Sequence, residues 1–116
     1  MPDPALITVT DATFAELVLA AEVPFVLDFW AEWCPPCRPM AASLAELAPE
    51  FAGRLLIGSL NADENPATTL AYRVLSMPTL LFFQSGTVTR SLVGARPKSL
   101  LRATLEASVT PYANHT

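Results

Sequence analysis

The sequence predicts an α/β domain with a central mixed β-sheet of about five strands flanked by about four helices. Three observations carry this prediction. Apolar runs of strand length alternate with segments whose apolar residues recur at spacings of three and four. The runs at residues 25–30, 55–60 and 79–83 are nearly continuous in hydrophobicity, as strands buried on both faces are. The last two strand-like runs are separated by a turn at Ser85-Gly86, short enough for a hairpin. The earlier strands are joined through helices, which requires crossover connections and a sheet covered on both sides.

Each element follows in order. Leu6 to Val9 is a short apolar run, after which Thr10 or Asp11 caps a helix carrying Phe14, Leu17 and Val18. Pro24 ends that segment and Phe25 to Trp30 forms a buried strand. A second helix follows, with Met40, Leu44, Leu47, Ala48 and Phe51 on one face and Gly53 as its stop. Leu55 to Leu60 is the next strand. Pro66 then opens a short helix over residues 67–72, where its missing N–H costs little. Thr79 to Phe83 and Val88 to Val93 form the hairpin, and Pro97 starts a final amphipathic helix through Leu100, Leu101, Ala103, Thr104 and Leu105.

Composition narrows the function. The chain has 116 residues, 7 Lys+Arg against 11 Asp+Glu, and a formal net charge of −4. That length predicts one domain over residues 1–116, with a core of about 5–109 and a frayed tail at 110–116. A hydrophobic content of 52% excludes a disordered chain. A pI near 4.8 argues against a nucleic-acid partner. No apolar run approaches the roughly 18 residues of a membrane span, so no membrane association is expected. The start Met1-Pro2-Asp3-Pro4 carries an acid and no Lys or Arg, unlike a secretory signal, which predicts a cytoplasmic protein.

The chemistry centres on Trp33-Cys34-Pro35-Pro36-Cys37, just past a buried strand and at the start of a helix. Two intervening residues keep the sulfurs close enough to join in a small ring that can reopen. A helix N-terminus carries roughly half a positive charge and unpaired N–H donors, both of which favour a thiolate. The outer residue, Cys34, is therefore the expected nucleophile. Cys37, a turn further in, is expected to be more shielded and to resolve the mixed disulfide formed at Cys34. The residues alone leave other readings open. The pair is a structural bridge, although so small a ring removes little unfolded-state entropy. Or it is half of a metal or iron–sulfur site completed by a second chain, which needs four soft ligands; His115 in the tail is inert in this reading.

The segment Asp28-Phe29-Trp30-Ala31-Glu32-Trp33-Cys34-Pro35-Pro36-Cys37-Arg38 resembles the active site of the thioredoxin family. The resemblance continues through Asn61-Ala62-Asp63-Glu64-Asn65-Pro66, Tyr72-Arg73-Val74, Met77-Pro78-Thr79-Leu80-Leu81-Phe82-Phe83, Gly86 and Val93-Gly94-Ala95, so it covers roughly residues 5 to 108. It implies the thioredoxin fold and a thiol-disulfide oxidoreductase that reduces protein disulfides. It also implies Cys34 as the attacking and Cys37 as the resolving cysteine, Asp28 as a buried acid that exchanges a proton with the resolving thiol, and Pro78 as a cis-proline beside the disulfide. A carboxyl inside an apolar strand should have a raised pKa, which suits proton exchange near neutrality. A cis peptide before Pro78 would turn the Met77 backbone toward the sulfurs and present it to an extended partner chain. Trp33, Met77, Pro78 and Gly94 are the expected docking surface. Electrons reside on the cysteines, so no bound cofactor is implied, and NADPH enters only through a thioredoxin reductase-type donor. The implied partners are that donor and disulfide-containing target proteins, and the chain is expected to be a monomer or a weak dimer paired through Trp33.

The chain departs from the family pattern at several positions. Pro35-Pro36 replaces the usual Gly-Pro; over Cys-Pro-Pro-Cys-Arg alone the chain is similar to tryparedoxin and nucleoredoxin. Pro35 removes a backbone N–H near Cys34, which should keep the thiolate basic and the protein reducing. Ser59 replaces a lysine that often partners the buried acid, which should push the Asp28 pKa further up. Ala42 stands where the family has a helix-kinking proline, with Pro39 three residues earlier. Leu75-Ser76 replaces a common Arg-Gly pair and alters the docking surface. Glu32 and Arg38 are solvated flanking charges, and Trp30 belongs to the core. Outside disulfide reduction, two alternatives remain: a redox-independent interaction scaffold of the same fold, and an oxidase or isomerase.

Overall fold

Three apolar runs become the three inner strands of one five-stranded sheet. The computed structural model describes residues 5–109; the expected tail at 110–116, with His115, and the Met1-Pro2-Asp3-Pro4 start lie outside the described residues. In chain order the strands are β1 (Ile7–Thr8), β2 (Phe25–Trp30), β3 (Leu56–Asn61), β4 (Thr79–Gln84) and β5 (Thr87–Val93). The α-helices are α1 (Cys37–Leu47), α2 (Pro66–Ala71) and α3 (Lys98–Val109). Across the sheet the order is β1-β3-β2-β4-β5. β1, β3 and β2 run parallel, while β4 is antiparallel to β2 and β5 antiparallel to β4, so the sheet is mixed as expected. Among the described residues no helix is long and apolar enough to cross a membrane.

The alternation of side chains along a strand divides the core into two layers. Val26, Ile57, Leu80 and Phe82 meet Met40, Leu44 and Leu47 of α1 and Leu101 and Leu105 of α3. On the other face Phe25, Leu27, Phe29, Leu81 and Phe83 pack against Phe14, Val18 and Val74. The strands approach closely at Gly58, where an added Cβ would lie 2.8 Å from the Phe25 ring and 2.9 Å from the Ile7 carbonyl oxygen. Exposed ion pairs link α3 to α1 and the turn after it: Lys98 to Glu46 at 2.8 Å and Arg102 to Glu50 at 2.8 Å. Such surface pairs add little stability.

Two helices differ from the sequence expectation, each for a local reason. The first helical segment is only a five-residue π-helical turn, Ala15–Leu19. Thr10 and Thr13 cap each other: the Thr10 N–H donates to Thr13 Oγ1 at 2.9 Å and the Thr13 N–H to Thr10 Oγ1 at 3.3 Å. Of the two expected caps, Thr10 is the one that serves this turn, while Asp11 accepts from the N–H groups of Ala67 (3.1 Å) and Thr68 (2.8 Å) and so caps α2. The second helix stops being α-helical at Leu47 and tightens into a 3₁₀ turn, Ala48–Phe51. Pro49 has no N–H to continue the α-helical ladder. Gly53 then ends the segment at φ 82°, a conformation glycine adopts without strain.

Candidate functional site

The site lies where the central strand β2 leaves the sheet. Trp30 and Ala31 are buried, and the chain turns through Glu32 and Trp33 before α1 begins at Cys37. The Cys34 N–H donates to the Ala31 carbonyl and the Cys37 N–H to the Cys34 carbonyl, each at 3.2 Å. These turns bring the two cysteines together as a disulfide, with their Cα atoms 5.4 Å apart. Pro35 and Pro36 are exposed on the outside of this ring. The prolines at 35, 36 and 39 all lack an N–H, so the mouth of α1 offers few backbone donors.

Both sulfur-bearing residues are shielded, which corrects one sequence expectation. Cys34 and Cys37 are each 2% exposed, whereas Cys34 was expected to be the more open. With the ring closed, the pair packs into a cluster with Trp30, Ala31 and Met77. The Met77 side chain, from a distant part of the chain, packs against this cluster.

Met77 is positioned by its own loop. The Met77–Pro78 peptide is cis. Thr79 Oγ1 donates to the Ser76 carbonyl at 2.7 Å, and the Gly94 N–H donates to the Pro78 carbonyl at 2.8 Å. Gly94, at φ 94°, thereby ties the end of β5 to the start of β4. Trp33 stands apart at 62% exposure, its indole N–H donating to Asp63 Oδ2 at 2.8 Å. Leu75, at 93%, and Val93, at 57%, add exposed apolar surface on the two segments that carry Met77 and Gly94. The structure therefore gathers Cys34, Cys37 and Met77 in one cluster and ties Pro78 to Gly94. Trp33 is held aside by Asp63.

Asp28 lies in the middle of β2 and is fully buried. In register it faces Ser59 on β3 and Leu80 on β4. Neither carboxylate oxygen has a hydrogen-bond partner among the described residues, nor does Ser59 Oγ. Burial raises the Asp28 pKa to about 7. A carboxyl poised there gains or loses a proton near neutral pH with little driving force needed. Two features of the site escaped the sequence: the Trp33–Asp63 hydrogen bond joins residues thirty positions apart with no spacing signal, and Ser59 stood out only as a substitution. Among the described residues no group of three or more His, Cys, Asp or Glu is placed to hold a metal ion.

Comparison with known proteins places this geometry. The family model described as Thioredoxin matches residues 5–107. The thioredoxin of Streptomyces clavuligerus is 52% identical over 93 residues, covering 80% of this chain and 86% of that protein. The thioredoxin of Haemophilus influenzae is 47% identical over 93 residues, covering 80% and 87%. The M-type chloroplastic thioredoxin of Spinacia oleracea is 43% identical over 103 residues; the match covers 89% of this chain but 57% of the spinach protein.

Proposed function

We propose, for a chain that belongs to the thioredoxin family and is a thiol-disulfide oxidoreductase, that its direction of work is the reduction of disulfides in target proteins. Cys34 is the attacking residue and Cys37 the resolving one. The observation that carries this reading is the Cys34–Cys37 bond at the mouth of α1, covered by Met77.

The reaction follows from the placement of the groups. In the reduced protein the positive end of α1 favours the Cys34 thiolate. That thiolate attacks a target disulfide, forming a Cys34–target bond and releasing the other target sulfur, which takes up a proton. The Cys37 thiol passes its proton to the Asp28 carboxylate and attacks the Cys34 sulfur. The Cys34–Cys37 bond forms and the second target thiol leaves. Two electrons have moved from the pair to the target, and they reside on sulfur throughout, so no bound cofactor is drawn on.

A thioredoxin reductase-type donor returns the pair to its dithiol form, and NADPH is consumed at that donor. Such a cycle suits a reducing compartment, hence a cytoplasmic site of action. Trp33, Met77, Pro78 and Gly94 form the target-docking rim, with Pro35 and Pro36 at its edge. Because Cys34 is shielded in the closed ring, the rim must yield for the donor to reach it. The working unit is a single domain, monomeric or weakly paired through the exposed Trp33.

The test is turnover of insulin disulfides with dithiothreitol as reductant. Cys34→Ser is expected to abolish turnover above background, and wild-type turnover in that variant would overturn the assignment. The reduction potential decides direction. A value near that of thioredoxin, about −270 mV, supports a reductase, and one near about −120 mV marks an oxidant.

A further inference from the structure

A pocket of about 130 Å³ opens beside the buried end of the sheet, lined by Thr8, Trp30, Glu32, Ser59, Asn61 and Glu64 among others. Its floor includes Ser59, which is 3% exposed and whose hydroxyl has no hydrogen-bond partner among the described residues. The strand register extends this polar line inward. Thr8 on β1 pairs with Ser59 on β3, and Ser59 pairs with Asp28 on β2. Residues paired across parallel strands point to the same face of the sheet. One row therefore leads from an exposed threonine, through a buried hydroxyl at the pocket floor, to a fully buried carboxyl with two unpartnered oxygens.

Leaving three buried oxygens unbonded forfeits their hydration, so buried polar atoms of this kind are normally paired with protein or with ordered water. Water needs polar partners and room, and a pocket of about 130 Å³ holds several molecules. We propose that this pocket is a hydrated passage, in which water held by Ser59 connects the Asp28 carboxyl to solvent past Thr8. It rests on the proton-transfer role proposed above for Asp28. When Cys37 resolves the mixed disulfide, its proton moves to Asp28. The passage then carries that proton from Asp28, through water at Ser59, to bulk solvent at the mouth. Ser59 is a positioning residue, because it acts through the water it holds. A carboxyl sealed under α1 and α3 has no other described polar neighbour on its sheet row through which to discharge.

Few charges compete for control of this carboxyl. The buried residues that α1 turns inward are Cys37, Met40, Leu44 and Leu47, and those of α3 are Leu101, Thr104 and Leu105. Of these only the Cys37 thiol titrates, and it does so only in the reduced protein. The neighbouring strands contribute Ser59 and Leu80. Glu32 and Glu64 line the pocket, with Arg38 at 3.7 Å from Glu32.

The experiment uses the oxidised full-length protein, so that neither cysteine titrates. Carbon-13 NMR follows the Asp28 carboxyl against pH in the wild type, Ser59→Val and Ser59→Ala, and water–protein cross-peaks report long-lived water near residue 59. Valine removes the hydroxyl and fills the space. It is expected to abolish the water cross-peaks and raise the Asp28 midpoint by about one pH unit or more, because bonds to the ionised form are lost. Alanine keeps the room and drops the hydroxyl, so it moves the midpoint in the same direction by less, and it serves if the valine variant fails to fold. Absence of water cross-peaks in the wild type overturns the passage, as does an Asp28 midpoint unmoved by both substitutions. Insulin reduction by Asp28→Asn separates the two levels. A pH profile identical to wild type refutes the catalytic role of Asp28, whereas the NMR readouts judge the passage without reference to activity.

Discussion

Replacing Asp28 with asparagine should change how stability depends on pH, by an amount the structure sets. The carboxyl is fully buried and burial raises its pKa from 3.8 to about 7. The folded protein therefore binds this proton more tightly than the unfolded chain. Its contribution is fully present below the unfolded value and is lost as pH rises through the folded value. The window runs from about pH 4 to about pH 7, roughly three units. At about 1.4 kcal/mol per unit this amounts to about 4 kcal/mol. Asparagine has nearly the same shape and cannot ionise. At about pH 4 the two proteins should differ only by the cost of seating an amide, while by about pH 8 the variant should have gained about 4 kcal/mol relative to the wild type. The assay is urea unfolding of the oxidised proteins across that range, followed by tryptophan fluorescence, with equal denaturant slopes as the check on comparability. Free-energy curves that run parallel, within about 1 kcal/mol, would refute the premise that a neutral carboxyl is what the fold accommodates.

Three other outcomes follow from the same geometry. Once the ring is opened by reduction, iodoacetamide should modify Cys34 at least about tenfold faster than Cys37 at neutral pH, as mass spectrometry of the digested protein would show; equal rates would remove the distinction between attacking and resolving thiols. Pro35→Gly restores a backbone N–H at the mouth of α1. It should lower the Cys34 thiol pKa, raise the reduction potential and cost about 0.4–1 kcal/mol through the freer unfolded chain; an unchanged thiol titration would show that this donor does not reach the sulfur. Gly58→Ala drives a Cβ into the Phe25 ring and the Ile7 carbonyl, and should cost about 1–3 kcal/mol in urea unfolding; a neutral substitution would mean that β1 shifts freely.

Much of this was legible in the sequence where the signal is local. The run Phe25–Trp30 is a strand over its full predicted length, because six residues buried on both faces leave no pattern but continuous hydrophobicity. The β4–β5 hairpin follows from Ser85-Gly86, whose residues both take positive φ. Pro97 stands directly before α3, which begins at Lys98. The paired cysteines and their place after β2 were equally plain. What stayed hidden depends on contacts between distant segments. Asp11 reads, with Thr10, as one of two candidate caps for its own helix, yet its carboxylate reaches α2, more than fifty residues on. Cys34 reads as the open tip of a helix, yet the closed ring and Met77 cover it. The isolation of the Ser59 hydroxyl is a property of three adjacent strands and has no sequence signature of its own.

The margin formed by β5 has a consequence for the protein in concentrated solution. Its outer side is largely solvent-facing, and its register with β4 slips between Phe82 and Phe83. A slip of this kind bends and twists the strand, and Arg90 places a charge on the bent stretch. A second molecule approaching edge-on would meet a curved, charged ribbon to which a straight strand cannot zip over more than a few residues. Among the described residues β5 is the longer of the two outer strands, and its bend and charge disfavour edge-to-edge extension of the sheet from that side.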